Sequence, residues 1–364
     1  MKKIFFFLII IFSLFSFSSE AEAAEFRYDD IMDALSPETK SLLEDFGITG
    51  RLSEDFAEIS PEKALKTVFR LFSEGLSLPL KTVGMCLALL FITTVINGFL
   101  PEKGSLSMMG KSISLMIIMF SIVSVTGEMF SRCASALLVT KDFMLVLIPV
   151  FAGIIAFSGN PTLALSFNTV AFSFAEIVTV LFQKFFPLLS SVMIAVCAAG
   201  AISPVMKLDG IGKTLSKTVN LFMAFVAGIF VAVLSVRGVI AGAADTVTIR
   251  GVRFLIGNIV PVVGSAIGEA LNSIAAGMGL IKHTAGMLGI AAVIVINLPA
   301  IINVTVWKAA LYFLSLSADI MENGEIKKFS ENMNGVLSVI MGALCYTSFV
   351  FIISIAILIT VSKG

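Results

Sequence analysis

Charged side chains are scarce in this sequence, and their scarcity decides the class of protein. Of the 364 residues only 14% are Asp, Glu, Lys or Arg, whereas 57% are hydrophobic and the mean hydropathy is +1.02. Soluble globular proteins carry about 25% charged residues. Because the apolar segments are about as long as membrane-spanning helices, the sequence predicts an all-α polytopic membrane protein.

Histidine and cysteine are scarce too, and this excludes several kinds of site. His283 is the only histidine, and we interpret it as a polar residue at the membrane interface. The cysteines lie in or beside apolar segments without CxxC spacing, as expected of small buried hydrophobes. They are Cys86, Cys133, Cys197 and Cys345. The sequence has neither an HExxH nor a GxSxG motif, and the lysines of 110–112 and 212–214 lack the first glycine of a phosphate-binding loop. We therefore predict no metal, no cofactor and no enzymatic activity.

Residues 1–24 have the pattern of a secretion signal peptide. Met1-Lys-Lys precedes an apolar core from Ile4 to Phe17, and Ala21-Glu-Ala23 supplies small residues for cleavage. An uncleaved membrane anchor is the alternative. A signal peptide would place the residues that follow on the extracytoplasmic side of the membrane.

Residues 25–77 form a predicted acidic head, with 12 Asp or Glu against 6 Lys or Arg. Two amphipathic helices are indicated, one over about 29–46 and one beginning at Ser60-Pro61. So short a segment can hardly build its own core. We expect these helices to lie on the membrane surface or against a partner; a flexible acidic arm is the alternative.

Residues 78–364 are predicted to form a multi-spanning membrane domain. Successive apolar segments, from about residue 82 to a final span at 336–361, predict a helical bundle of about seven to nine spans. Lysine and arginine are divided evenly between the two sides of a fully spanning arrangement. The positive charges therefore do not fix the orientation.

Four prolines indicate an internal repeat of about 112 residues. Pro149 and Pro187 correspond to Pro261 and Pro299, and 38 residues separate the members of each pair. The repeat-like units are 106–204 and 215–320. In transporters built from repeats, broken helices face one another in mid-membrane, so we predict helices broken at these prolines and at glycines. Ordinary kinked helices and chance matches between apolar sequences are the alternatives.

Glycine is concentrated between Arg237 and Gly289, where ten of the 28 glycines lie. Gly264 and Gly268 form a GxxxG pattern that permits close contact between helices. Such a pattern supports packing more than function.

A few polar side chains within the apolar segments are candidates for a pathway or pore. A carboxylate at membrane depth is costly, so we expect Glu176 and Glu269 to face the protein interior, a pore or each other. Asn258 and Asn272 lie in the same glycine-rich region as Glu269. A structural carboxylate is the alternative for either glutamate, and asparagines, including Asn297, more often tie helices together.

The glycine-rich region also carries a resemblance to a known family. Together with the signal-like N-terminus, the acidic head and the multi-spanning body, it resembles the stage III sporulation protein AE family over nearly the whole chain. The family-like segment includes Asp245, Thr246, Asn258, Pro261 and Gly264. Its residues are Ala241-Gly-Ala-Ala-Asp245-Thr246-Val-Thr248, Phe254, Gly257-Asn258 and Ile259-Val-Pro261-Val-Val-Gly264.

This resemblance implies a multi-pass protein of the mother-cell membrane around the forespore. It implies partners as well: the other stage III A sporulation proteins, including a cytoplasmic ATPase and ring-forming subunits, and indirectly the forespore's stage II protein Q. The protein is expected to lie in the lipid bilayer and is not expected to bind nucleic acid. The implied function is that of a membrane subunit in a transport or secretion-like channel complex needed for spore development. A self-sufficient secondary transporter for a small solute is the alternative, because of the repeat.

Overall fold

The structure, a computed structural model, describes residues 29–48, 61–99, 105–202, 211–259 and 264–361. All the regular secondary structure in these ranges is helical, which confirms the all-α prediction. The signal-like residues 1–24 and Pro261 lie outside the described ranges.

Short helices precede a bundle of long ones. The short helices are α1 (Asp29–Asp33) and α2 (Pro37–Asp45). The long helices are α3 (Pro61–Phe99), α4 (Ser105–Phe157), α5 (Pro161–Val180), α6 (Phe186–Ile202), α7 (Ile211–Ile259), α8 (Gly264–Ile320) and α9 (Gly324–Val361). A π-helical turn, Leu181–Phe185, joins α5 to α6 without a break. Within the described residues, six helical runs are long and apolar enough to cross a membrane, as expected of a polytopic protein.

The number of candidate spans is below the predicted seven to nine because neighbouring apolar segments are joined in single helices. α4 contains the apolar stretches on both sides of Glu128 and Arg132. These two side chains lie one turn apart and form an ion pair of 2.6 Å. Opposite charges at this spacing support a helix. Two charged residues inside an apolar sequence are therefore compatible with one continuous helix and do not by themselves indicate a turn.

The prolines do not break the helices where the structure describes them. Pro149 lies inside α4 and Pro299 inside α8, so the predicted breaks at these two residues are not found. Pro187 follows the π-helical turn, in which the amide of Phe186 donates to the carbonyl of Leu181. A wider turn accommodates a residue that lacks an N–H donor. Packing against neighbouring helices keeps the chain helical through each proline.

The helix boundaries do not follow the repeat of 112 residues. The turn Ser158–Asn160 separates α4 from α5, and the same offset carries it to residues 270–272, which lie inside α8. The matching prolines therefore do not mark equivalent helical hairpins. A duplication remains a prediction from the sequence alone.

The head packs against the bundle of its own chain. Ile31, Leu35 and Leu43 are buried, and α2 contacts α3 and α8. Arg70 of α3 forms an ion pair with Asp45 at the end of α2. The second helix of the head is the first part of α3, which continues into the first candidate span. Helix α2 thus packs against α3 and α8 of its own chain, whereas Leu65 and Phe69 at the start of α3 are exposed. The expected contact of the head with a membrane surface or a partner stays a prediction.

Helix α8 is the central helix of the bundle. It contacts α3, α4, α7 and α9, and most of its side chains between 285 and 311 are buried. Close approach depends on Gly286, where an added Cβ would lie 2.3 Å from Cδ1 of Ile359 in α9. At Gly289, an added Cβ would lie 2.7 Å from Cδ2 of Leu147 in α4.

The long helices exceed the thickness of a bilayer. α8 has 57 residues and α4 has 53. At 1.5 Å per residue these helices are roughly 85 and 80 Å long, against about 30 Å for the hydrocarbon core. Each helix therefore extends beyond the hydrocarbon or crosses it at a steep tilt.

Candidate functional site

Buried polar side chains form the most distinctive contacts among the described helices. Three groups of such contacts stand out: two are buried and centred on Asp245 and on the contact between α8 and α4, and one is half-buried and centred on Lys308. Inside an apolar bundle each polar atom must find a partner on another helix or on its own backbone.

Asp245 on α7 caps the start of α5. It is only 3% exposed, and its carboxylate accepts the backbone N–H groups of Thr162 at 3.2 Å and Leu163 at 2.9 Å. The first turn of a helix leaves such N–H groups without helical partners, and the helix dipole favours a negative charge there. The carboxylate is thus held by two hydrogen bonds from the helix that it stabilises.

The turn before α5 explains why the cap comes from another helix. Gly159 has a φ of 89°, which glycine adopts without strain. Asn160, at the position before the helix, does not cap the helix with its side chain. Its side-chain Nδ2 donates instead to the carbonyl of Ser158 at 3.4 Å. Asp245 supplies the missing acceptor and joins α7 to the turn between α4 and α5. The sequence marked Asp245 only through the family resemblance.

Two buried hydrogen bonds join α8 to α4. Nδ2 of Asn297 donates to Oγ1 of Thr140 at 2.7 Å, and Nε1 of Trp307 donates to Oγ1 of Thr126 at 3.3 Å. All four residues are completely buried. Each threonine hydroxyl in turn donates to a carbonyl one turn earlier in α4. Asn297 therefore ties helices together, as expected of asparagines in such segments.

Lys308 joins α8 to α9. Its ammonium donates to the carbonyl of Asn334 at 3.3 Å and to Oγ of Ser338. In return, Nδ2 of Asn334 donates to the carbonyl of Lys308 at 2.9 Å. The positive charge is thus held by neutral oxygen atoms in a reciprocal contact between two helices.

Helix α7 reaches the same cluster through Asn220. Nδ2 of Asn220 donates to the carbonyl of Ser338 at 3.2 Å. Its Oδ1 lies against Gly342, where an added Cβ would come within 1.7 Å of it. Any other residue at 342 would therefore displace Asn220. Three helices, α7, α8 and α9, meet in what we call the Lys308 cluster: Asn220, Lys308, Asn334 and Ser338.

Glu176 does not face the interior of this chain. It lies on the exposed side of α5, near the exposed Phe172 and Ile177. The opposite side of α5 packs inward through Phe174, whose ring lies 4.2 Å from that of Phe230 in α7. Of the settings expected for Glu176, the interior of this chain is not the one found, because this helix buries its other face; a pore stays a prediction.

The remaining predicted site residues fall outside the side chains that the structure describes. They are Asn258, Glu269 and Asn272, with Thr246, Pro261, Gly264 and Gly268. Their proposed roles stay predictions. Among the described residues, no group of three or more His, Cys, Asp or Glu side chains could hold a metal ion.

Comparison with known proteins agrees with the family resemblance found in the sequence. The family model described as stage III sporulation protein AE matches residues 38–362. The chain is similar to the stage III sporulation protein AE of Bacillus subtilis (strain 168), with 26% identity over 309 residues, which is 83% of this chain and 76% of that protein. No solved structure matches. The matched range includes all of α3 to α9 and leaves out the last two residues of the chain.

Removal of the Asp245 carboxylate should loosen the start of α5. In Asp245→Ala, the N–H groups of Thr162 and Leu163 lose their acceptor, and we expect a loss of about 1–3 kcal/mol in stability. Hydrogen exchange of these two amides, with the melting temperature of the purified protein, measures the effect. Asp142→Ala is the matched control, because Asp142 is exposed and pairs with Lys141. Unchanged exchange in Asp245→Ala would refute the cap.

Gly342 should be coupled energetically to Asn220. Gly342→Ala should destabilise the protein by about 1–3 kcal/mol, because the new methyl group overlaps Oδ1 of Asn220. Asn220→Ala removes that overlap, so the double variant should be more stable than the sum of the single effects predicts. Thermal unfolding of the four proteins in detergent measures the coupling. Strict additivity would show that the two residues do not interact.

Proposed function

We propose, from the premise that this chain belongs to the stage III sporulation protein AE family, that it is a membrane subunit of a channel complex linking mother cell and forespore. The family places the protein in sporulation, and its long apolar helices make it a membrane protein. The transport or secretion-like activity, the mother-cell location and the non-enzymatic role are the proposal.

The exposed carboxylate of Glu176 is the observation that supports a multi-subunit complex. Glu176 lies within a candidate span, Pro161–Gly200, and takes part in none of the hydrogen bonds or ion pairs found among the described residues. A carboxylate that faces lipid at membrane depth costs free energy. A neighbouring subunit, or a water-filled pore between subunits, removes that cost.

The ion pair of Glu128 and Arg132 supports the same arrangement. Both side chains are about half exposed on α4, at 46% and 56%. Intramembrane charges usually face other protein or water. The outer surface of this chain thus has charged positions on both α4 and α5 that other subunits could cover.

The proposed partners are those that the family resemblance implies. They are the other stage III A sporulation proteins, with the ATPase and the ring-forming subunits, and indirectly stage II protein Q. Because the sequence has no phosphate-binding loop, an ATP-driven step would take place on another subunit. The 25–77 segment is proposed to be extracytoplasmic.

A self-sufficient secondary transporter is a second candidate, and the Lys308 cluster favours it. A positive charge in a polar cluster shared by three helices is a feature of sites that hold polar solutes in transporters. In a channel subunit, the same cluster would hold α7, α8 and α9 together.

Charge reversal at Glu176 should block spore development. In Glu176→Lys, the outer face of α5 would repel the group that Glu176 meets in the complex. A loss of about 1.4 kcal/mol weakens that contact about tenfold, and we expect fewer heat-resistant spores. Spore counts and the amount of protein in the membrane measure the result. Glu325→Lys, at an exposed site next to the turn between α8 and α9, is the control. Normal spore counts with Glu176→Lys would contradict the proposed contact.

Transport assays on the isolated chain separate the two candidates. The purified protein, reconstituted alone in liposomes, should not accumulate small solutes such as amino acids or phosphate if it functions only within a complex. Solute uptake that Lys308→Met abolishes and the exposed control Lys328→Met retains would support the transporter and contradict the channel subunit.

A further inference from the structure

Helix α5 carries a line of polar residues on the side that its own chain leaves uncovered. They are Thr162, Ser166, Thr169, Ser173 and Glu176, which we call the polar seam. Four of the five are exposed, and Ser166 is half-buried. All five lie within the candidate span Pro161–Gly200. Polar residues inside a membrane are expected to face protein or water and not lipid.

The spacing of the polar seam indicates contact with one further helix. Its members are successively four, three, four and three residues apart. At roughly 100° per residue they lie within an arc about 80° wide. Leu165 and Phe172 flank this arc on one side and Ile177 on the other, and all three are exposed. The residues that α5 buries, Phe167 and Phe174 among them, lie on the other side of the helix. A four-three repeat is the pattern by which two helices pack side by side.

The polar seam is suited to contact with an identical seam. Ser166, Thr169 and Ser173 are small, so two such helices can approach closely. The hydroxyls of Thr169 and Ser173 donate to carbonyls one turn earlier, at 3.0 and 2.8 Å. Their oxygen atoms can still accept, and a hydroxyl that turns from its own helix can donate to its copy. Two glutamic acid side chains pair in the same way when they share one proton.

Symmetry in the membrane brings like residues to the same depth. Copies that insert in the same orientation are related by an axis along the membrane normal, which places each residue of the polar seam level with its own copy. A helix that formed a salt bridge with Glu176 would carry a lysine or arginine, whereas the hydroxyl residues of the seam have no preference for a charged partner. The complementarity of the whole seam therefore favours a second copy of this chain.

We propose that two copies of this chain pair through the polar seams of their α5 helices. Ser166, Ser173 and Glu176 each lie next to their own copy. The paired carboxyl groups are removed from lipid, and the apolar residues that flank the seam pack around them. This inference rests on the proposed function, in which another subunit covers Glu176, and it identifies that subunit as a second copy.

Disulfide cross-linking in membranes tests the pairing. In Ser166→Cys and Ser173→Cys, expressed without other sporulation proteins, each new thiol should reach its copy, since a disulfide joins Cα atoms about 4.4–6.8 Å apart. Leu165→Cys and Phe172→Cys are the matched controls: both residues are exposed, and each points about 100° away from the seam residue that follows it. We expect about threefold more cross-linked dimer at the seam positions than at the controls. The unsubstituted chain gives the background from its own four cysteines.

Replacements of Glu176 distinguish a second copy from a partner of opposite charge. An amide both donates and accepts, so Glu176→Gln should keep the dimer, whereas it would remove a salt bridge to a basic partner. Glu176→Lys should lower the association constant of the dimer about tenfold, because two ammonium groups, which have donors only, would meet. Native mass spectrometry of the purified full chain measures the fraction of dimer.

Three results would overturn the pairing in variants that are folded. They are equal cross-linking at seam and control positions, a dimer that Glu176→Lys leaves intact, and loss of the dimer in Glu176→Gln. Particles of three or more chains would overturn it as well and would favour a pore surrounded by several α5 helices. The emission spectrum of Trp307, the only tryptophan and completely buried, shows whether each variant is folded. Because these experiments use this chain alone, their failure is distinct from failure of the proposed function, which the spore counts test.

Discussion

The whole bundle depends on one constraint: a polar group inside it must be met by another polar group, because lipid and apolar side chains supply none. Asp245 meets two N–H groups of α5, Asn297 meets Thr140 of α4, and Lys308 meets Asn334 of α9. The first two contacts join helices that are far apart in sequence, and the third joins the consecutive helices α8 and α9. These few hydrogen bonds therefore fix which helices are neighbours, whereas apolar contacts, which are not directional, fix mainly how closely they pack.

On the outer surface of the chain, some charged side chains are not covered by its own helices. Glu176 is exposed, and so is the Glu128 and Arg132 pair, although both lie in apolar helices. A chain whose buried Asp245 and Asn297 find partners inside it, and whose charged side chains lie on its sides, resembles one component of a larger assembly. The proposed contacts with other subunits accordingly lie on α4 and α5, where the exposed charges are.

The class of fold could be predicted from composition, because few charges and long apolar segments have only a few structural solutions. The number of spans could not, since an ion pair such as Glu128 with Arg132 allows one helix to continue through charged positions between two apolar stretches. The environment of Glu176 depends on which face of α5 is buried, and that face packs against α4 and α7. Asp245 lies 82 residues from Leu163, so its cap depends on tertiary structure that no local pattern encodes.

At one end of the bundle, α4 and α9 expose side chains of different character, and this bears on the proposed assembly. Trp307 lies opposite Thr126, and Lys308 opposite Asn334, so the starts of α4 and α9 both lie beside the last turns of α8. There α4 exposes Ile113, Met116 and Phe120, whereas α9 exposes Glu325 and Lys328. The same end of α8 exposes Tyr312, Phe313 and Leu316. Apolar side chains thus face outward close to the charged turn between α8 and α9, and α4, with 53 residues, is far longer than one hydrocarbon core is thick. Membrane that the helix crosses at a tilt, or another subunit, covers such an apolar surface.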